Sequence, residues 1–434
     1  MSSIDEAVAD AHRREWAYVL AATVRVARDI DSAEEAVQDA YVQALRTWAR
    51  DGVPARPGAW LTTVARRTAL NLMRRQQTLE SKLPLLVEPR DADQAEQAAG
   101  GGGSGDGVIP DDRLRLIFTC CHPALAPEAQ VALTLRLVCG VPAPDIARAF
   151  LVADATMAAR LTRAKKKIAT ARIPYAVPPT AELPERVDAV LTVVHLLYST
   201  GHTARSGSEL VRDDLCDRAL DLAHLVWTLL PDEREAAGLL ALLLAHDARR
   251  ATRTDVRGRL LRLEDQDRSK WDRAQIAEAD RLVVAALQAG PPGRFALQAA
   301  IAALHAQAPT YQATDWPQIL TLYDELLRVW PTPVVALNRA VALAAVVGPA
   351  AALVEVEALE RDGRLAGYQY LPSTKAELLR RLGRDAEAAD AYRAALALSS
   401  NAAEEQFLME RLHATTPGRF NGSSGSEPPP SGVS

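Results

Sequence analysis

Apolar residues recur every three or four positions along most of this chain, the signature of amphipathic helices rather than of strands. The clearest case runs from Asp145 to Lys167, DIARAFLVADATMAARLTRAKKK. Ile146, Ala147 and Phe150 make the apolar stripe of a short first helix. Met157, Leu161, Ala164 and Ile168 make that of a longer second one. The two are joined by a turn carrying Leu151, where helix-turn-helix units often place a glycine that tolerates a left-handed backbone. Opposite the second stripe stand Thr156, Arg160, Arg163 and Lys167, the last closing the basic run Lys165, Lys166 and Lys167. Cations along one side of such a helix suit a major groove lined by phosphates.

Two more patterned segments precede it. DSAEEAVQDAYVQALRTW places Ala36, Ala40, Leu45 and Trp48 as a core stripe, with Asp31, Glu34, Glu35, Gln38 and Asp39 outward. By itself that outer face reads as an ordinary solvated one. PGAWLTTVARRTALNLMRRQ opens with Pro57 and Gly58 and buries Leu61, Val64, Ala65, Ala69 and Leu72. It exposes Arg66, Arg67, Asn71, Arg74 and Arg75. Between Asp51 and Glu80 there is no acidic residue, so this basic face lacks local counter-charge.

The patterned blocks are separated by composition shifts. Residues 1–83 form one helical block. Residues 84–110, with AAGGGGSGDG inside, form a Gly-rich stretch with little to bury, expected to act as a flexible linker. Residues 111–173 form the helix-turn-helix block, and 184–413 a long Ala/Leu-rich helical region. Residues 414–434 form a Pro/Ser/Gly tail expected to be disordered. Within the long region, TKAELLRRLGRDAEAADAYRAALAL sets Leu378 and Leu379 before Gly383, then Tyr392 and small residues on a following helix. The segment from Pro331 to Leu359 repeats the helix, glycine, helix form, so the region reads as TPR-like. The expected fold class is all-α.

Composition narrows this only modestly. The 434 residues are 48% hydrophobic and 5% aromatic, enough for several helical cores. A formal net charge of −5 excludes a protein that coats nucleic acid along its length, but not local basic patches. No apolar run reaches membrane-spanning length and the N-terminus is polar and acidic, so a cytoplasmic protein without membrane partners is expected.

In this order, the acidic helix, AWLTTVARRTALNLMRR, the linker and TMAARLTRAKKKI resemble bacterial extracytoplasmic-function sigma factors. The segments DDRLRLIFTCCHPAL, LVWTLLPDEREAAGLLALLLAHDARR, LEDQDRSKWDR and PVVALNRAVALA resemble the subgroup with a large TPR-like C-terminal extension. The resemblance implies two small helical sigma domains, domain 2 and a helix-turn-helix domain 4. They would bind core RNA polymerase at its β′ clamp helices and β flap, and promoter DNA at the −10 and −35 elements. Glu35, Gln38 and Asp39 would meet the clamp helices. Arg56, Arg66, Arg67, Asn71, Arg74 and Arg75 would hold the −10 strand, with Trp60 serving either as a stacking surface or as a core anchor. Thr156 and Arg160 would lie at or near bases of the −35 duplex, and Arg163, Lys165, Lys166 and Lys167 on its phosphates. The extension would regulate through protein contacts, with a regulatory protein as a further partner. A stand-alone helix-turn-helix activator with a TPR-type sensor is the alternative, but it has no use for an acidic helix beside a basic strand-capturing one.

Other side chains invite an enzymatic or metal reading. Cys120, Cys121 and His122 with Cys139 lack the spacing that lets a turn wrap zinc, and fit buried packing better. His195, Tyr198 and His202 share one helical face and fit a helix contact. Trp271 fits the anchor of a polar loop. No phosphate-binding glycine loop and no nucleophile motif is present, so neither catalysis, a cofactor nor a metal is expected.

Overall fold

The computed structural model describes residues 3–82, 111–150, 152–203 and 210–415, the side chains of Ser3, 75–82, 148 and 149 excepted. Among them every regular element is helical, and one isolated bridge joins Thr254 to Leu260. The chain forms two compact units. The first comprises Met1–Thr203, Arg212–Leu244 and Arg281–Pro291; the second comprises Ala204–Val211, Ala245–Asp280 and Pro292–Ser434.

In the first unit, α1 (Ser3–Ala27), α2 (Ile30–Asp51) and α3 (Pro57–Lys82) pack together. Asp29 caps α2 by accepting from the Ser32 amide at 2.7 Å, and Gly52 ends it by donating to the Trp48 carbonyl at 3.0 Å. The buried seam of α2 is Ala33, Ala36, Val37, Ala40, Ala44 and Trp48. Two sequence expectations change here. Leu45 is exposed, because the seam advances from Ala40 to Ala44 and leaves the next residue about 100° away. Glu34, expected outward, is only 5% exposed.

The second block follows with α4 (Asp112–Cys120), α5 (Pro127–Leu133), a π turn (Thr134–Val138), α6 (Ala143–Ala149) and α7 (Asp154–Thr170). Met157, Leu161, Ala164 and Ile168 are all buried, as their spacing predicts. Leu151 lies outside the described residues, as do 84–110 and 416–434.

The two blocks, expected as separate domains on a tether, are packed against one another. Trp16 of α1 donates its Nε1–H to the Leu137 carbonyl at 3.0 Å, one of the acceptors that a helix end leaves open. Beside it Gly140 has φ of +69°, and a Cβ there would stand 2.8 Å from His12 Cε1 and 3.0 Å from Trp16. Tyr175 donates to the Ala21 carbonyl at 2.8 Å and reaches that of Asp112 at 3.2 Å, bridging α1 and α4. Two further helices, α8 (Leu183–His202) and α9 (Asp213–Leu229), complete this side of the unit. Arg186 of α8 donates to the Phe118 carbonyl at 2.6 Å, with its guanidinium 5.9 Å from the Phe118 ring centre. On α8, Tyr198 is buried and stacks on His202 at 5.3 Å.

The chain continues through α10 (Arg234–Asp247) and α11 (Arg273–Gln288). In the second unit α12 (Arg294–Gln307), α13 (Trp316–Val329), α14 (Pro333–Val346), α15 (Pro349–Asp362), α16 (Tyr370–Arg381), α17 (Asp385–Leu398) and α18 (Ala402–Thr415) pack in chain order as helical hairpins. Gly383, at φ of +72°, turns α16 into α17, where the Arg384 amide donates to the Leu379 carbonyl at 2.9 Å. One core joins Leu337, Leu353, Val356, Leu378, Leu379, Tyr392 and Leu408. Trp271 is buried, donates to Thr252 Oγ1 at 2.9 Å and lies 4.5 Å under the Arg268 guanidinium, which anchors its loop.

Candidate nucleic-acid and polymerase interface

The basic face of α3 follows from its apolar one. Leu61, Ala65 and Ala69 are fully buried, which turns Arg67, Asn71 and Arg74 to solvent and leaves Arg66 half-buried, its Nε 3.4 Å from the Ala22 carbonyl. Thr63, Arg66, Arg67, Leu70, Asn71 and Arg74 line an open cavity of about 530 Å³. Thr63 and Leu70 join this wall without having been singled out by sequence; their i and i+7 spacing with Arg66, Arg67 and Asn71 between is the available signal. Arg56 is exposed just before the helix. Trp60 is half-buried with its ring edge-on to the buried Trp48 at 5.6 Å. The side chain of Arg75 lies outside the described residues.

On α7, Thr156, Arg163, Lys166 and Lys167 are exposed, and Arg163 Nε donates to the Ala159 carbonyl at 3.2 Å. Arg160 is half-buried, its guanidinium 5.7 Å from the Phe150 ring across the turn. Arg160, Arg163 and Lys167 share a shallow cavity of about 280 Å³ with Glu128 and Ala129 of α5.

Lys165 departs from its neighbours. Its ammonium lies 2.7 Å from Asp31 Oδ1 and 2.7 Å from Glu34 Oε2 of α2, with 16% of its side chain exposed. Arg136 closes on the other oxygen of Glu34. Burial alone would lower the lysine pKa, but the two carboxylates outweigh it and hold the ammonium above the ordinary lysine value. In this conformation Lys165 therefore faces α2 and not a phosphate. The helical phase could have shown it: Lys165 lies about 200° round the helix from Arg163, off the face set by Thr156, Arg160, Arg163 and Lys167. Nothing in the sequence pattern marks Arg136, which comes from the π turn.

Glu35, Gln38 and Asp39 remain exposed on α2, and Gln38 reaches Glu34 Oε1 at 3.4 Å. The acidic helix thus carries both an open edge and an edge engaged by cations from the second block. Elsewhere, burial pushes the Cys121 and Cys139 thiols up to about 12 and raises Cys120 as well, far from reactive thiolates. Among the described residues no group of three or more His, Cys, Asp or Glu is placed to hold a metal ion. No helix among them is long and apolar enough to cross a membrane.

Comparison with known proteins agrees with this geometry. Residues 11–78 match the Sigma-70 region 2 family, and residues 115–168 the Sigma-70 region 4 family. Residues 186–287 match a family of unknown function, DUF6596. An uncharacterized protein of Rhizobium meliloti (strain 1021) is 43% identical over 398 residues, covering 91% of this chain and 92% of that one. The probable ECF RNA polymerase sigma factor SigI of Mycobacterium tuberculosis is 28% identical over 172 residues, 40% of this chain and 58% of SigI. With α1–α3 forming region 2, α4–α7 forming region 4 and a helical region following them, the chain belongs to the extracytoplasmic-function sigma factors, the promoter-specificity subunits of transcription initiation, and carries a C-terminal extension.

Proposed function

We propose that this sigma factor grips a promoter at two points with the residues mapped above. The α3 cavity bounded by Arg66, Arg67, Asn71 and Arg74 would receive the −10 strand, its guanidiniums on phosphates and its concavity on an unstacked base. Arg56 and the Trp60 ring border the same helix start. Thr156 and Arg160 on α7 would lie against −35 bases, with Arg163, Lys166 and Lys167 on the flanking phosphates. Glu35, Gln38 and Asp39 would dock on the β′ clamp helices of core polymerase, and the second block on the β flap. The observation that carries the reading is this pairing of a concave basic wall on α3 with an exposed acidic edge on α2.

The same surfaces favour a closed resting state. Lys165 and Arg136 neutralise Asp31 and Glu34 on the helix that carries the polymerase-docking edge. Engagement of core enzyme and both promoter elements then requires the two blocks to part. The first helix of the extension, α8, grips α4 through Arg186, so the extension is placed to bias that opening. We assign it a regulatory role through protein contacts.

Reconstituted transcription with core polymerase tests the function. Promoter-dependent transcripts that require both the chain and core enzyme are expected. Tight operator binding without polymerase, and no transcript with active core, would establish the stand-alone activator instead.

A further inference from the structure

Helices α14, α16 and α18 alternate with α15 and α17, and side chains of the first three line a cavity of about 650 Å³ in the second unit. Trp316, Tyr311 and the loop at 262–264 contribute to its wall. The volume falls within the range of sites that take small ligands or single anchoring residues. Val341, Leu378 and Phe407 supply apolar surface; Arg262 is paired with Glu264 and Asp265, while Arg380, Arg381 and Arg411 share the single remaining lining carboxylate, that of Glu377.

Those charges are arranged. Glu377 accepts from Arg380 Nη2 at 2.6 Å, from Arg411 Nη2 at 3.0 Å and from the Tyr392 hydroxyl at 3.1 Å. Burial would raise its carboxyl, but Arg380 and Arg411 win and hold it below the ordinary glutamate value. One carboxylate therefore orients two guanidiniums and leaves a positive charge unmatched. A guanidinium carries five N–H donors in a fixed fork, and Arg411 gives Glu377 only Nη2. Arg381 bonds to the Ala344 carbonyl at 3.1 Å and has no carboxylate within 4.0 Å among the described residues. A cluster of this kind is a poor device for stability, since well-packed apolar residues do as well or better. In a concave wall beside aromatic rings it suits recognition of a planar carboxylate.

We propose that this cavity binds a carboxylate carried on an apolar, aromatic body. The source is either a free organic acid or an acidic residue beside an aromatic one in a peptide. The inference stands on the second unit alone and does not depend on the sigma reading.

Isothermal titration calorimetry on the intact chain tests it with three probes: phenylacetate, phenylacetamide, and an N-acetylated, C-amidated Phe-Asp-Phe peptide. One of the two acids should bind with Kd below about 1 mM. Binding by phenylacetate makes the ligand a free acid, and binding by the peptide alone makes it a protein segment. The amide should bind at least tenfold more weakly. Arg411→Gln and Arg381→Gln should each weaken the acid about tenfold, about 1.4 kcal/mol. Arg381 is exposed, so its variant keeps the test valid if Arg411→Gln lowers the melting temperature. Absence of binding by both acids overturns the proposal. So does equal binding of the amide, or unchanged binding by a natively melting Arg381→Gln chain.

Discussion

Lys165 belongs to a basic run that faces DNA in the sequence reading, yet its ammonium lies 2.7 Å from both Asp31 and Glu34. The two placements predict opposite effects for Lys165→Met. As a phosphate contact its loss would weaken every duplex and lower transcription. As a bond that holds the blocks together, its loss frees α2, and the fraction of chains competent to meet polymerase rises. The measured affinity for core enzyme should then increase several-fold, while the folded state loses about 1–3 kcal/mol because Glu34 keeps only Arg136 and a long hydrogen bond from Gln38. Gly140→Ala should act the same way by another route. Its left-handed backbone disfavours any Cβ by about 1–2 kcal/mol, and that Cβ would stand 2.8 Å from His12. Titration of labelled core enzyme against both variants, with thermal melts alongside, checks the pair. Weaker core binding by both would remove the closed-state reading.

At the scale of elements, the roles proposed for the cations of α3 and α7 differ, and alanine substitutions should separate them. Arg67→Ala with Arg74→Ala removes two guanidiniums from the α3 cavity. It should impair strand opening, read by permanganate reactivity at the −10 element, by tenfold or more while duplex binding of the holoenzyme changes little. Arg163→Ala, Lys166→Ala and Lys167→Ala should each weaken all duplexes alike and reduce the salt slope of holoenzyme binding by about one. Equal losses of opening and binding in the α3 variant would reject that division of labour. Both faces were legible in the sequence, because burial of Leu61, Ala65 and Ala69 on one helix and of Met157, Leu161, Ala164 and Ile168 on the other fixes which side meets solvent. The π turn, the burial of Glu34 and the role of Arg136 were not. The burial of Glu34 and the role of Arg136 arise from packing between segments more than a hundred residues apart, and a periodicity read within one helix carries no information about its neighbour. Leu45 shows a smaller limit: the choice between it and Ala44 for the seam rests on helical phase, which a list of apolar residues does not hold.

For the whole molecule, the proposed open arrangement of the first unit would differ from the packed one in that Lys165 no longer touches α2. The amine and the two carboxylates are close enough for a carbodiimide, which joins such groups with no spacer. In the free chain this reagent should yield a peptide pair linking the Lys165 segment to the Asp31–Glu34 segment, identified by mass spectrometry. Core polymerase pulls the equilibrium toward whichever state it binds, by as much as its affinities for the two differ. If the docking edge at Glu35, Gln38 and Asp39 is used only after the blocks part, saturating core enzyme should lower the cross-link yield severalfold, and Gly140→Ala should lower it without polymerase. Chains already cross-linked are held in the packed arrangement and should bind core enzyme more weakly than untreated chains. A cross-link that persists at full yield in an active holoenzyme would mean that polymerase accepts the packed pair as it stands. Control of this sigma factor would then have to act after docking rather than on access to it.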